Sequence, residues 1–166
     1  MIILGIDPGL ALTGWGVVEK IPLGATNEDK PKLIEYGCIK TSKNQEPPQR
    51  LLKIYQELHK IIKKYKPRVL SLEKLFFNTN AKTAFSIGEV RGIIKICAVL
   101  NKVPVVEFTP LQIKNSIVGY GRASKKQVQE MVKISLTLKE IPKPDDIADA
   151  IGVALTYCYY NNTLKS

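Results

Sequence analysis

Four carboxylates stand out in this sequence by where they fall. Asp7 closes the apolar run MIILGID just before a Pro-Gly turn, and Glu73 closes a second apolar run, RVLSLE. Asp146 and Asp149 lie in PKPDDIADAIGVAL, where acids stand at the mouth of an otherwise almost wholly apolar segment. At about 100° per residue, Asp146 and Asp149 are roughly 60° apart on a helix, so both can point into one cleft. Like charges at that spacing repel and are costly to desolvate unless something positive meets them. Capping accounts for Asp145 or Asp146, because an acid after a proline turn accepts backbone N–H bonds and complements the helix dipole. It does not account for Asp149, a full turn inside. Taken singly, Asp7 also reads as a turn residue and Glu73 as an edge charge. Taken together they suggest more, because chemistry in open α/β sheets collects at strand ends, where acids from distant segments can converge. An oxygen-only donor set selects hard Mg²⁺ or Mn²⁺ over zinc, and four carboxylates can hold two ions about 4 Å apart, a pair suited to phosphodiester hydrolysis.

The elements that must position these acids are legible in the spacing. Residues 1–7 read as a central strand, and WGVVEK (15–20) and KLIEYGCIK (32–40) as two more, which suggests an antiparallel meander. From Pro48 to about Tyr65, Leu51, Leu52, Tyr55, Leu58, Ile61 and Ile62 recur at helical spacing, and Lys66-Pro67 stops the helix. RVLSLE (68–73) is a buried strand, 80–101 a long helix with Ala84, Ile87, Val90, Ile94 and Ala98 on one face, and VPVVEF (103–108) the fifth strand. Thr109-Pro-Leu-Gln112 and Ser124-Lys-Lys-Gln127 are capping boxes that each open a short helix, joined through GYGR at 119–122. The acidic helix from 145 to about 160 completes the order βββαβαβααα, a mixed α/β layer fold with five strands flanked by helices.

Composition narrows the class. At 166 residues the chain is long enough for one domain, expected to span 1–166. Twenty-five Lys and Arg against 15 Asp and Glu give a formal charge of +10, which points to a polyanionic partner. Cys38, Cys97 and Cys158 are far apart and form no CxxC, so neither a disulfide framework nor a zinc site is suggested, and a reducing, cytoplasmic setting fits. The start MIILGIDPG has no basic leader or cleavage site, and its apolar run is too short for a span, so no membrane association is expected.

Five blocks in order, GIDPGLALTGWGVV, LEKLFF, AFSIGEVRG, TPLQIKNSIVGYGRASKKQVQEMV and DDIADAIGVAL, resemble the RuvC Holliday junction resolvases over nearly the whole chain. The resemblance implies an RNase H-like fold, a homodimer, and paired, symmetric nicking of four-way junction DNA in recombination and repair. It also implies two Mg²⁺ ions per active site, with Mn²⁺ able to substitute, and a branch-migration helicase partner of the RuvA and RuvB type. The family's acids correspond to Asp7, Glu73, Asp146 and Asp149 as catalytic and metal-holding residues. Asp145 departs from the family pattern: D-x-x-D selects 146 with 149 and leaves Asp145 as the helix cap, whereas 145 with 149 is also geometrically possible.

Lys114, Arg122, Lys125 and Lys126 form a basic group within the fourth block, and the helix start at 125 adds backbone N–H groups that favour phosphate. A solvated surface would explain any one of them; the resemblance assigns Lys114 and Lys125 to phosphate contact near the cut. Phe76 and Phe77 follow Glu73, and core packing explains one of them. The resemblance gives Phe76 the role of stacking on an unpaired base. Arg91 is open to more than one reading: it lies on the helix that resembles the family's subunit-pairing helix, whose residues can face a partner chain rather than DNA. His59, the lone histidine, reads as solvated and remote from the acids. Two other classes fit parts of the sequence. A non-cutting junction- or RNA-binding module is opposed by the presence of all four acids, and an actin-like nucleotide handler by the absence of room for a second lobe.

Overall fold

A computed structural model of the chain describes residues 1–21, 30–74 and 81–163, with 81–83 and 161–163 described by backbone alone. β1 (Ile2–Asp7), β2 (Leu12–Glu19) and β3 (Lys32–Lys40) form the expected meander, and β4 (Val69–Glu73) and β5 (Val105–Phe108) add in parallel to its β1 side. The sheet order is β3-β2-β1-β4-β5. Its helices are α1 (Pro47–Tyr65), α2 (Ala81–Leu100), α3 (Pro110–Val118), α4 (Lys125–Ser135) and α5 (Asp145–Thr163), in the order the spacing predicts.

Two strands begin elsewhere than the sequence suggests. β2 starts at Leu12 rather than Trp15, because Leu12, Thr13 and Gly14 already pair with Lys40, Ile39 and Cys38, and Gly14 also pairs with Asp7. The turn after the first acid is thereby confined to the few residues from Pro8. β5 starts at Val105 rather than Val103, whose N–H instead closes the end of α2 on the Ala98 carbonyl at 2.9 Å. Both capping boxes form. The Gln112 and Gln127 amides donate to the hydroxyls of Thr109 and Ser124 at 3.1 and 3.3 Å, and their side chains accept the cap N–H at 2.9 and 2.8 Å.

Strand alternation divides the core between the two faces of the sheet. Leu4, Ile6, Leu70 and Leu72 point toward α1 and α2, where Ile54, Leu58, Ile62, Val90 and Ile94 close over them. Ile3, Val69 and Phe108 point the other way, against Ile113, Ile117, Val128, Val132, Ile151 and Leu155 of α3, α4 and α5. The same parity carries Asp7 and Glu73 to the α5 face. The parallel register of β1 on β4, which pairs Ile6 with Leu72, sets the two acids side by side on neighbouring strands, about 4.8 Å apart at the backbone.

α5 can reach those acids because the sheet beneath it has no side chains at two places. A Cβ on Gly5 would stand 2.1 Å from the Ala150 carbonyl oxygen, and one on Gly14 would stand 2.1 Å from that of Asp146. The helix backbone therefore lies directly on β1 and β2, and Ser71 Oγ fastens it to β4 by donating to the Val153 carbonyl at 2.8 Å. Replacing Gly14 by alanine must lift the first turn of α5. The expected loss is about 2–3 kcal/mol, which at about 2–4 °C per kcal/mol lowers the thermal midpoint by roughly 4–12 °C. An unchanged midpoint in a thermal melt of Gly14→Ala would show that the helix has room to spare.

Candidate active site

Asp7, Glu73, Asp146 and Asp149 meet at the carboxyl ends of β1 and β4 under the start of α5. Burial, and then the charges of Asp149, Asp146 and Glu73, push the Asp7 carboxyl up to about 7 from an ordinary 3.8, while Lys125 draws it partly back. Burial and Asp149 likewise raise Glu73, against the opposing pull of Arg91, Lys125 and Lys114. Asp7 thus feels all three of the other acids, the convergence that the strand-end positions suggest.

Two adjoining clefts share Glu73 and Pro110. One, of about 220 Å³, is lined also by Asp7, Pro8, Lys74 and Arg91. The other, of about 250 Å³, is lined by Lys114, Lys125 and Asp149 together with apolar Ile113, Val128 and Val153. A larger concavity of about 570 Å³ opens at the opposite end of the sheet, among Lys63, Lys66, Arg68 and Lys102. No acid lines it, whereas Asp7, Glu73 and Asp149 line the smaller clefts.

Lys125, the first residue of α4, reaches across to Asp149 Oδ2 at 2.7 Å and stands 3.9 Å from Asp145. Burial alone would lower its pKa, but the hydrogen bond and charge of Asp149 outweigh that and raise it. Gln129, one turn on, donates to Asp149 Oδ1 at 3.3 Å. Among the described residues, no group of three or more His, Cys, Asp or Glu side chains is arranged to hold one ion as it stands. The donor chemistry nevertheless fits a hard divalent ion. The donors are all carboxylates, they are partly desolvated, and one is driven toward protonation by its burial and then by the negative charge around it. Lys125 sets a positive charge directly against Asp149.

The remaining sequence candidates divide. Lys114 faces the cleft with Glu73 and Asp149. Arg122 and Lys126 are exposed on the approach to α4 and line neither cleft. Phe76 and Phe77 lie outside the described residues. Asp145 is not the cap: it is the first residue of α5, and its carboxylate is drawn 2.5 Å from Lys143, which holds it below the usual carboxylate range. His59 is half-buried rather than solvated, set between Tyr55 and the Asn101 amide, 3.1 Å from Nδ1, because α1 packs along α2 there. Arg91 is corrected most. At 8% exposure it turns inward at the wall of the cleft of Asp7 and Glu73, and donates to the Glu73 backbone carbonyl and the Glu107 carboxylate. The signal for this was an arginine beside the apolar face of its helix, where a buried charge needs a partner.

The comparisons agree with this geometry. The family model described as crossover junction endodeoxyribonuclease RuvC matches residues 3–157. Crossover junction endodeoxyribonuclease RuvC of Caldanaerobacter subterraneus subsp. tengcongensis is 51% identical over 165 residues, covering 99% of this chain and 96% of its own. That of Caldicellulosiruptor saccharolyticus is 51% identical over 157 residues, 95% and 92% of the two chains. The solved structure of Thermus thermophilus RuvC in complex with Holliday junction substrate superposes with a TM-score of 0.90 at 31% identity, covering 98% of this chain and 96% of that one. The five-stranded mixed sheet with its helices is the RNase H-like arrangement that the sequence implied. The chain belongs to the RuvC family of crossover junction endodeoxyribonucleases.

Proposed function

We propose that this chain resolves four-way DNA junctions by hydrolysing phosphodiester bonds in paired, symmetric nicks. The observation that carries the reading is the meeting of Asp7, Glu73, Asp146 and Asp149 beside Lys114 and Lys125, in a chain of this family. Asp7 and Glu73 would hold the cations between them, and Asp146 and Asp149 would complete the donor set. Bound there, two Mg²⁺ ions, or Mn²⁺ in their place, would supply Lewis-acid polarisation of the phosphodiester and a more acidic attacking water. Lys125, freed from Asp149, and Lys114 would neutralise the scissile phosphate, while Arg122 and Lys126 grip the backbone further out. Phe76, beside Glu73 in sequence, is assigned to stack on a base at the crossover.

The reading extends to assembly. α2 presents Phe85, Ile96 and Val99, exposed by 73, 55 and 71%, on one stripe with Gly88 and Gly92. A Cβ at either glycine would meet nothing within 4 Å, which leaves room for a second helix to approach closely. This stripe supports a homodimer whose two sites make the two cuts. We assign residues 1–166 to one nuclease domain that works with a branch-migration helicase of the RuvA and RuvB type. No helix among the described residues is long and apolar enough to cross a membrane. The free thiols of Cys38, Cys97 and Cys158 fit a cytoplasmic site of action.

An end-labelled four-way junction, incubated beside linear duplex with Mg²⁺ or EDTA, tests the activity. Symmetric nicks on the junction alone, and only with metal, are expected. Asp7→Asn should bind the junction as wild type does and cut it at least about 1,000-fold more slowly, a loss of roughly 4 kcal/mol in the barrier; an active Asp7→Asn protein would defeat the metal assignment.

The raised pKa of Asp7 has a stability consequence with a definite sign. A carboxyl that titrates near 7 folded and near 3.8 unfolded binds more protons in the folded state. Metal-free protein should therefore lose stability as pH rises from about 4 through 7, by up to about 4 kcal/mol. Asp7→Asn should then melt above wild type at pH 8 in EDTA, and the gap should close toward pH 5. A lower midpoint for Asp7→Asn at pH 8 would contradict the electrostatic account.

A further inference from the structure

We infer that Arg91 is a positioning residue, which orients the metal-holding carboxylate of Glu73 from the opposite face of the sheet and is itself held by Glu107. The inference rests on the proposed reading of Glu73 as a cation ligand. Arg91 Nη1 donates to the backbone carbonyl of Glu73, and its Nη2 to Oε1 of Glu107. Glu107 precedes Phe108 on β5, and since Phe108 packs on the α5 side, alternation turns Glu107 toward α2. Lys95, one turn beyond Arg91, approaches the same carboxylate at 3.0 Å, so Glu107 is shared by two cations.

The carbonyl that Arg91 grips lies where β4 ends. The next N–H, that of Lys74, donates to the Phe108 carbonyl at 2.7 Å. Rotation of the peptide between residues 73 and 74 would swing the Glu73 backbone and with it the carboxylate beside Asp7. Arg91 and Phe108 fix that peptide from its two ends. A guanidinium suits the task because its planar fork can hold a carbonyl and a carboxylate at once, whereas an ammonium is a single point of charge. Burying an ion pair beside an apolar face adds little net stability over well-packed hydrophobic residues, so stability alone gives no reason for this one.

The test uses the full chain with Arg91→Met, Arg91→Lys and Lys95→Met. Four quantities are measured: Mn²⁺ affinity without DNA by calorimetry, the Mg²⁺ concentration for half-maximal junction cutting, junction affinity in EDTA, and the thermal midpoint. Groups that orient metal ligands from behind typically change metal affinity by about 10–100-fold. Arg91→Met should weaken Mn²⁺ binding and raise the Mg²⁺ requirement by that factor, with junction affinity unchanged. Arg91→Lys should fall between Arg91→Met and wild type, and Lys95→Met should match wild type. A folded Arg91→Met protein with wild-type Mn²⁺ affinity and Mg²⁺ requirement would overturn the inference. Should Arg91→Met not fold, wild-type metal behaviour in Arg91→Lys would overturn it equally. A wild-type protein that neither binds Mn²⁺ nor cuts junctions would overturn the proposed function and this inference together, whereas cutting by wild type with unaltered variants overturns the inference alone.

Discussion

Mutual repulsion among carboxylates in a partly desolvated place is the constraint on which this structure depends. Asp7 feels Asp149, Asp146 and Glu73 together, and burial sharpens each repulsion by removing the water that would screen it. Left alone, such a cluster would scatter toward solvent or protonate. It is kept together by backbone: Asp7 and Glu73 by adjacent strands in register, Asp146 and Asp149 by a helix that lies directly on Gly5 and Gly14. The apolar packing of α5 supplies the opposing stability, through Ile147, Ile151, Val153 and Leu155, all buried. Lys125 answers part of the charge with a contact to Asp149 at 2.7 Å. Such a site is poised for a cation because part of its electrostatic cost is already met by the fold.

Strand alternation separates two kinds of work. On the α5 face stand the acids and the lysines that meet solvent. On the α2 face stand Arg91 and Glu107; Arg91 borders the cleft of Asp7 and Glu73 and grips the Glu73 backbone, and Glu107 holds Arg91. Side chains two residues apart share a face, so Gly5 with Asp7 and Ser71 with Glu73 each pair an anchoring position with a functional one. Ser71 holds α5 by its Val153 carbonyl, and Glu73 meets the acids of that helix further along.

Much of this was legible in the sequence. Apolar runs ended by acids marked the strand ends, the capping boxes at Thr109 and Ser124 marked two helix starts, and the spacing of Asp146 from Asp149 marked one face. What escaped depended on tertiary pairing. The start of β2 at Leu12 follows from its pairing with β3, which no local pattern announces. Asp145 looked like a cap because the preference of acids for helix starts is local, whereas Lys125, twenty residues away in sequence, draws near it only in the fold, beside the neighbouring Lys143. The inward turn of Arg91 escaped for a similar reason. Its position in α2 is compatible with either side of the helix until β5 is known to lie next to β4 and to present Glu107.

The central claim is that the four carboxylates form a cation site, with Lys125 in contact with one of them. Diffraction from crystals of the wild-type protein grown with Mn²⁺ at pH 8, recorded at the manganese edge, tests it most directly. The expected result is anomalous density among Asp7, Glu73, Asp146 and Asp149, with the Lys125 ammonium withdrawn from Asp149. A structure with no manganese among these acids, and with Lys125 still bonded to Asp149, would contradict it.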